Sequence, residues 1–231
     1  MCSQWFDRDR LLLTTKPQKT AGDKLDEVSK HFDNILKQLL AREAESDLPG
    51  ACKSCHNTAA SFRCRECTQG RVLCRRCMIQ VHQHLPWHWV QEWTGSYFVR
   101  RDLCDIGYVL HLGHGGRPCP QSPTIRSPIP FVVTHTNGIH DVKLELCHCP
   151  GRMSLAEQLL QVDLYPATWE KPASAFTFDV LDDSHEDALA SKKAAYDYIK
   201  KLKRRTNNSD EDSVTVSRIP DPTLEADTSL C

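Results

Sequence analysis

The strongest constraint on the fold is a run of cysteine pairs in residues 52–88. Three pairs with two residues between the cysteines are followed by two histidines. In order, these residues are Cys52, Cys55, Cys64, Cys67, Cys74, Cys77, His82 and His88. A gap of two residues lets a tight turn direct both sulfurs at one tetrahedral ion, so each pair can supply half of a zinc site. The eight side chains therefore predict two complete zinc sites.

The spacing allows two ways of sharing these ligands. In a cross-braced arrangement alternate pairs bind the same ion, and the two ligand sets are Cys52, Cys55, Cys74 and Cys77 for one ion and Cys64, Cys67, His82 and His88 for the other. Sequential pairing is the alternative, and spacing alone does not exclude it. His84 competes for a ligand position, and we expect His82 and His88 to bind instead.

A disulfide framework is the competing interpretation, because the chain has an even count of 12 cysteines. Disulfides require an oxidising compartment. The N-terminal residues show no charged segment followed by a long apolar run, so they do not predict a secretion signal. Histidines interleaved with cysteines also favour zinc over cystine. We therefore expect zinc thiolates and a reducing compartment, either the cytosol or the nucleus.

The formal net charge of −1 conceals two local basic clusters. One lies among the cysteine pairs and the other near the end of a predicted helix. The residues expected to contact nucleic acid are Arg63, Arg65, Arg71, Arg75, Arg76, Lys200, Lys201, Lys203, Arg204 and Arg205. The second cluster is also typical of nuclear import, and a solvated helix end favoured by the helix dipole is its alternative. No apolar run is long enough to cross a membrane.

Apolar residues recur at alternating steps of three and four within residues 23–45. Leu25, Val28, Phe32, Ile35 and Leu39 form this seam, with charged residues between them. The period predicts one amphipathic helix of about six turns. A short dimerising coiled coil is one interpretation. A helix that packs on its own domain is the other, and the small number of heptads favours it.

A hairpin further along the chain predicts a third site. Residues 131–133 and 142–146 are typical of two strands, joined by a tight turn at Asn137 and Gly138. The hairpin leads to Cys147 and Cys149, whose sulfurs point the same way on an extended chain.

Cys119 and His140 are expected to complete this third, Cys3His site, with His114 and His135 as rival ligands. Buried free thiols are the alternative interpretation of these cysteines. Cys104 lies among apolar residues and is predicted to be a core residue.

The remaining elements are predicted from shorter patterns. Residues 155–164 are expected to form a helix and residues 175–181 a strand. A capping box of Ser184 and Asp187 predicts the start of a helix that runs to about residue 205. Trp87, Trp89 and Trp93 are expected to pack against the following module, with base stacking as the alternative.

These observations predict a small zinc-stabilised α+β protein, in which a cross-braced zinc module precedes a β-hairpin-containing zinc module with flanking helices. The predicted segments are an irregular N-terminus (1–22), an amphipathic helix (23–48), a double zinc module (49–93), a second cysteine and histidine module (94–150), a strand and basic helix region (151–206) and a disordered acidic tail (207–231). The double zinc module has few large apolar residues, so we expect metal binding to supply its folding energy.

Several motifs taken together resemble a known family. After the cysteine pairs come Leu112-Gly113-His114 with Cys119, then Gly138-Ile139-His140, Cys147-His148-Cys149, Gln158-Leu159-Leu160, Tyr165-Pro166-Ala167-Thr168 and Ala175-Phe176-Thr177-Phe178. Their order over residues 52–206 resembles the CxC-type cysteine cluster domain associated with KDZ transposases, a group expanded in fungi. The first half is also similar to a B-box-type double zinc module, and this similarity favours the cross-braced pairing.

The resemblance implies a zinc-finger module of a transposable-element protein, acting in the nucleus on DNA or on a DNA-bound partner. In such proteins a downstream RNase H-like domain carries the catalytic carboxylates, and its characteristic motif is absent from this sequence. We therefore expect no enzyme activity, no small-molecule substrate and no membrane partner. The alternative function is a B-box-like protein-interaction module that forms homodimers through the helix in residues 23–45.

Overall fold

The computed structural model describes residues 20–43, 50–56, 58–68, 70–121, 128–151 and 153–216. It contains two compact units, Met1–Leu48 and Pro49–Cys231, and each is described by itself. The second unit contains every cysteine and histidine predicted to bind metal.

The first unit contains two helices, α1 (Ala21–Ser29) and α2 (Phe32–Glu43). Thr20 caps α1 through a capping box, in which its hydroxyl accepts the Asp23 N–H at 3.2 Å and the Asp23 carboxylate accepts the Thr20 N–H at 2.9 Å. Large apolar side chains of both helices are exposed; these are Leu25, Val28, Phe32, Ile35, Leu36, Leu39 and Leu40.

The prediction of a single helix within residues 23–45 is wrong, because the helix is interrupted at Lys30 and His31. The His31 N–H bonds the carbonyl of Val28 at 2.9 Å, three residues back instead of four. The Ser29 hydroxyl donates to the Asp26 carbonyl at 2.9 Å, a local bond of the kind that competes with helix continuation. Residues 44 and 45 lie outside the described part of the chain.

The double zinc module of the second unit is built on a small antiparallel sheet. Its strands are β1 (Phe62–Cys64), β2 (Val90–Trp93) and β3 (Phe98–Arg101), in the order β1-β2-β3. Helix α3 (Arg75–Val81) lies between β1 and β2 in the chain. The buried apolar residues around them, apart from cysteines, are Ala60, Phe62, Val72, Leu73, Met78 and Val90. So small a core is consistent with a module that depends on metal for its stability.

A five-stranded mixed sheet follows, in the order β4-β6-β5-β8-β7. Its strands are β4 (Leu110–His111), β5 (Ile129–His135), β6 (Gly138–Glu145), β7 (Leu164–Pro166) and β8 (Ser174–Thr177). Strands β5 and β6 form the predicted antiparallel hairpin, which is confirmed. Strand β4 pairs with β6 in parallel, and β8 pairs with β5 in parallel.

Helices cover both faces of this sheet. Phe131 and Val133 of β5 pack on the face covered by α4 (Leu155–Leu160), whereas Val132 packs on the face covered by α5 (Phe178–Ser191) and α6 (Ala195–Thr206). Alternate residues of a strand point to opposite faces, so a continuous apolar run suits a strand buried on both sides.

Three boundaries of the C-terminal elements differ from the predictions. Helix α4 ends at Leu160, and Leu164 begins β7. Strand β8 ends at Thr177, because the Thr177 hydroxyl accepts the Val180 N–H at 3.3 Å and so caps α5. Ser184 does not cap a helix but lies inside α5, where its hydroxyl donates to the Leu181 carbonyl at 2.8 Å.

The predicted helix up to residue 205 is two helices separated at Lys192, which adopts a left-handed conformation with φ 54°. The two helices are held together by polar contacts of α5 carboxylates. Lys201 Nζ lies 3.0 Å from the Asp187 carboxylate, and the Tyr198 hydroxyl donates to Asp183. Lys201 and then Lys193 lower the pKa of Asp187.

The described structure extends ten residues into the predicted disordered tail, to residue 216. Val214 and Val216 pack against the core beneath α6. The Asn207 side chain accepts the N–H groups of Ser209 and Asp210 at 3.1 and 3.2 Å. Residues 217–231 lie outside the described part. The predicted α+β class is confirmed, with cysteine and histidine clusters that could bind zinc.

Candidate metal centres

Three clusters of four cysteine and histidine side chains occur in the described residues. Within each cluster the ligand atoms all lie within 4.8 Å of one another. A tetrahedral zinc ion with sulfur ligands at about 2.3 Å separates those sulfurs by about 3.8 Å. All the described cysteines are free, and the Sγ–Sγ distances within the clusters, such as 3.9 Å between Cys55 and Cys74, far exceed the roughly 2.05 Å of a disulfide. The clusters are therefore compatible with zinc.

The first cluster consists of Cys52, Cys55, Cys74 and Cys77. The first pair lies in a tight turn in which the His56 N–H bonds the Cys52 carbonyl at 2.9 Å. Cys74 is the N-cap of α3 and Cys77 lies in its first turn, so the helix start brings the second pair together. The Cys74 N–H donates to Cys52 Sγ at 3.2 Å, which joins the two pairs.

The electrostatics of this cluster favour a cation. Burial raises the pKa of Cys52, but N–H groups of Cys55, Cys74 and Ser54 outweigh it and lower that pKa to about 6. The neighbouring Cys74 thiol, followed by burial, raises the pKa of Cys77 to about 12. Four close sulfurs cannot all ionise alone, so a divalent ion would displace the remaining protons.

The second cluster consists of Cys64, Cys67, His82 and His88. Cys67 Sγ lies 3.3 Å from His82 Nε2 and 3.4 Å from His88 Nδ1, and Cys64 Sγ lies 3.6 Å from His88 Nδ1. His82 is buried, and its Nδ1 lies 2.9 Å from the Met78 carbonyl oxygen. A proton on Nδ1 that donates to this carbonyl leaves the Nε2 lone pair directed at the cluster, as in most metal-bound histidines.

Each of the two clusters combines alternate pairs of the sequence, as in the cross-braced arrangement, and the described side chains form no sequentially paired group. His84 is exposed and belongs to neither set. The structure thus brings together the eight residues that the spacing selected. The B-box-like character of residues 49–93 stays a prediction.

The third cluster consists of His114, Cys119, Cys147 and Cys149. His114 Nε2 lies 3.3 Å from Cys147 Sγ and 3.4 Å from Cys149 Sγ, and Cys119 Sγ lies 3.9 Å from Cys149 Sγ. The His148 N–H donates to Cys119 Sγ at 3.4 Å and is the main reason that the pKa of Cys119 falls to about 6.

Backbone contacts position this cluster. Gly113 has φ +96°, and a Cβ there would lie 3.2 Å from Cys147 Cβ, so glycine permits the close approach of the two loops. The buried Gln158 side chain of α4 accepts the Cys147 N–H at 2.9 Å and donates to the Cys147 carbonyl at 3.3 Å. Sequence reasoning did not assign a role to Gln158, although it belongs to the Gln158-Leu159-Leu160 motif.

The prediction of His140 as the fourth ligand is not supported by its position. Residues 140 and 147 are about 23 Å apart along an extended strand, so a residue early in β6 cannot reach the cluster that lies beyond the end of this strand. His140 is buried elsewhere, with Nε2 at 2.7 Å from Asn137 Oδ1 and its ring stacked on Trp89 at 4.7 Å between centroids. The rival His135 contacts the Thr177 hydroxyl at 2.9 Å.

Metal content separates the two histidines. We expect the zinc content of the purified chain to fall by about one equivalent in His114→Ala and to stay unchanged in His140→Ala, because only His114 lies in a cluster. Elemental analysis of protein purified without added metal measures this. Loss of one equivalent of zinc in His140→Ala but not in His114→Ala would support the ligand set predicted from the sequence, in which His140 is the fourth ligand.

The basic residues of the double zinc module divide into two groups. Arg63 is buried, with its Nε donating to Gln91 at 2.8 Å and its guanidinium over the Phe98 ring at 3.7 Å, so it is not placed to contact phosphate. Arg75 donates to the Ile106 carbonyl at 2.6 Å. Arg75 is nevertheless exposed, as are the three other predicted arginines, Arg65, Arg71 and Arg76.

The basic end of α6 is largely engaged within the chain. Glu211 lies 2.8 Å from Arg204 Nε and 3.8 Å from Lys200 Nζ. Arg205 donates to the Thr136 carbonyl at 2.6 Å, and Lys201 pairs with α5 carboxylates. Lys203 is half-buried. This arrangement supports the solvated, locally paired helix end more than a bare cationic patch.

Three polar residues from different loops contact one another or the same side chains, and the sequence analysis did not select them. Glu66, Asp102 and Asn137 form a polar network around His140 and Trp89. The sequence patterns indicate Asn137 only as a turn residue and assign no role to Glu66 or Asp102. The position of Glu66 between Cys64 and Cys67 was the available signal.

Comparison with known proteins identifies part of the chain. The family model described as "CxC2 like cysteine cluster associated with KDZ transposases" matches residues 103–210. This range contains the whole third cluster and begins after the first two. A search of curated proteins and a search of solved structures found no match. Among the described helices, none has the length and apolar character needed to cross a membrane.

Proposed function

We propose that this chain, whose residues 103–210 match the CxC2-like cysteine cluster associated with KDZ transposases, is a zinc-stabilised and non-catalytic binding module of a transposase-type protein. Its proposed ligand is DNA or a DNA-bound partner, and its proposed location is the nucleus. The observation that carries the proposal is the assembly of three separate four-ligand clusters, each from residues brought together by turns, a helix start or a strand end.

The ligand sets support a structural role for the metal. Each cluster supplies four cysteine or histidine ligands, and a filled tetrahedral shell leaves no position for an activated water. The carboxylates of α5 do not resemble a two-metal catalytic site, since Asp183 and Asp187 both contact Lys201, at 3.6 and 3.0 Å. Among the described residues, no carboxylate belongs to a possible metal-binding group.

The proposed DNA-binding surface lies around the first cluster. The Lys53 N–H bonds the Val72 carbonyl at 3.2 Å, which places Lys53 beside Arg71. Arg76 follows the cluster residue Cys74 in the first turn of α3. All three side chains are exposed. Such cations bind phosphates irrespective of sequence and release counterions, so binding weakens steeply with salt.

Salt dependence tests this surface. We expect the double variant Arg71→Ala and Arg76→Ala to weaken binding to duplex DNA and to reduce the slope of log K against log salt by about 1.8, since each phosphate contact contributes about 0.9. Lys143→Ala, at an exposed lysine of β6, is the matched control. Equal slopes in the two variants, or no DNA binding by the zinc-loaded wild type, would overturn the DNA proposal.

A second candidate function is protein interaction through the first unit. Its supporting observation is the exposure of Leu25, Phe32 and Leu39 at 70, 62 and 53%, three residues of the predicted seam that lie on both sides of the break at His31. Exposed apolar clusters of this kind mark interaction sites. A concentration-dependent dimer in sedimentation that is lost in Leu25→Glu but retained in Lys24→Glu would support this candidate; a monomeric wild type would exclude self-association.

A further inference from the structure

A polar network around the buried His140 links the second cluster to the β5–β6 turn and to the end of α6. We propose that these three parts are energetically coupled, so that metal binding at the second cluster orders residues 136–140 and the last turn of α6, and the α6 contacts in turn raise the metal affinity of that cluster. The inference rests on the proposed binding of zinc by the second cluster.

The first link is Glu66, which lies between the ligands Cys64 and Cys67. Its carboxylate accepts the Trp89 N–H at 3.3 Å and the Asn137 side-chain N–H at 2.9 Å. The loop that holds two sulfurs of the cluster is therefore also bound to the hairpin turn. Metal that fixes the loop also fixes the acceptor of Asn137.

The second link consists of Trp87 and Trp89, the two neighbours of the ligand His88. The Trp87 carbonyl accepts a second bond from the Asn137 side chain at 2.7 Å. The Trp89 ring stacks on His140, and its Nε1 donates to Asp102 at 3.0 Å. Trp87 and Trp89 both contact the hairpin, so the position of the hairpin also determines where the His88 ring lies.

The third link joins the hairpin to α6. The Ile139 N–H donates to the Thr206 hydroxyl at 2.8 Å, and Arg205 donates to the Thr136 carbonyl. Arg100 connects Trp89 directly to the end of α6. Its guanidinium lies 4.1 Å from the Trp89 ring and donates to the Arg205 carbonyl at 3.0 Å. The end of α6 thus contacts the same turn and the same indole that hold the second cluster.

These contacts imply coupling because the double zinc module has a small core and requires metal to order its loops. If metal binding stabilises the contacts to the turn, loss of the contacts must weaken metal binding by the same factor. The first cluster provides a comparison within the same chain, because none of the network residues belongs to it or lies between the members of its pairs.

Metal affinities of the full-length chain test this coupling. Co²⁺ titration followed by its visible spectrum distinguishes the clusters, since only the second has two sulfur and two nitrogen ligands. We expect Asn137→Ala and Thr206→Val each to lower the affinity of the second cluster by about tenfold, within the usual range of coupling. Neither substitution alters a ligand, and both should lower the affinity of the first cluster by a smaller factor than that of the second.

Asn34→Ala, at an exposed asparagine of α2, is the same substitution outside the network and is expected to have no effect. Thr206→Val preserves side-chain shape, so it remains informative if Asn137→Ala fails to fold. Wild-type affinity at the second cluster in a folded Thr206→Val variant would overturn the coupling and leave the proposed function intact. Failure of the wild-type second cluster to bind Co²⁺ or Zn²⁺ would instead overturn the proposed function.

Discussion

Cys64→Ala is expected to unfold the double zinc module rather than merely weaken it. Structural zinc contributes about 10–16 kcal/mol to the folding of small domains, which is as large as the roughly 5–15 kcal/mol net stability of a typical domain. The module has few buried apolar side chains to replace that contribution. Far-ultraviolet circular dichroism and amide hydrogen exchange of residues 50–101 should therefore show lost structure, and an excess of chelator should do the same to the wild type.

Cys104→Ala is the matched control for this prediction. Cys104 is buried like Cys64 but lies outside the clusters, and burial raises its pKa to about 12, as expected of an inert core thiol. Its replacement leaves a small cavity and should cost about 1 kcal/mol with no loss of zinc. Similar small losses of stability in both variants would show that the second cluster does not hold a structural metal.

Gly138→Ala is expected to destabilise the five-stranded sheet by overpacking while leaving all the cluster residues intact. A Cβ at this position would lie 2.7 Å from Thr206 Oγ1 and 2.8 Å from Trp89 Cζ2, and both neighbours are held by hydrogen bonds or stacking. Overpacking of this kind costs about 1–3 kcal/mol, and the free energy of unfolding in urea measures it.

Gly95→Ala provides the comparison for Gly138→Ala. Gly95 also has a positive φ, +101°, but a Cβ there would meet nothing within 4 Å. Both substitutions carry an energetic cost from the positive φ. The difference between the unfolding free energies of the two variants therefore measures the steric clash with Trp89 and Thr206. Equal destabilisation would show that Trp89 and Thr206 move aside freely and that the turn is not tightly packed between them.

Local spacing explains why the first two clusters could be predicted. The two-residue gaps of the cysteine pairs and the short helix α3 bring ligands together within a few residues of each other. The third cluster depends instead on the parallel pairing of β4 with β6, in which Leu110 lies opposite Leu144. This long-range register carries His114 alongside Cys147, and no pattern near either residue indicates it. His140 was selected from its proximity in sequence, which an extended strand makes misleading.

Charge was equally ambiguous in the sequence. Arg63 and Arg71 look alike as basic residues near cysteines, yet Arg63 lies in β1 between Gln91 and Phe98 while Arg71 is exposed. The break between α5 and α6 also lacked a signal, because Lys192 adopts the left-handed conformation that glycine or asparagine usually marks. By contrast, the β5–β6 hairpin was predicted correctly, although its turn lies at Thr136 and Asn137 and Gly138 already begins β6.

The cross-braced ligand sets have a consequence for how the module responds to scarce metal. The chain between Cys55 and Cys74 contains the first pair of the second cluster, and the chain between Cys67 and His82 contains the second pair of the first. When one ion closes its loop, the free length of the other loop becomes shorter. The entropic cost of closing that second loop around its own ion is therefore lower. Zinc uptake by the two sites should be cooperative, with filled and empty modules outnumbering half-filled ones. A population of such molecules would respond to free zinc as a threshold rather than in proportion to it.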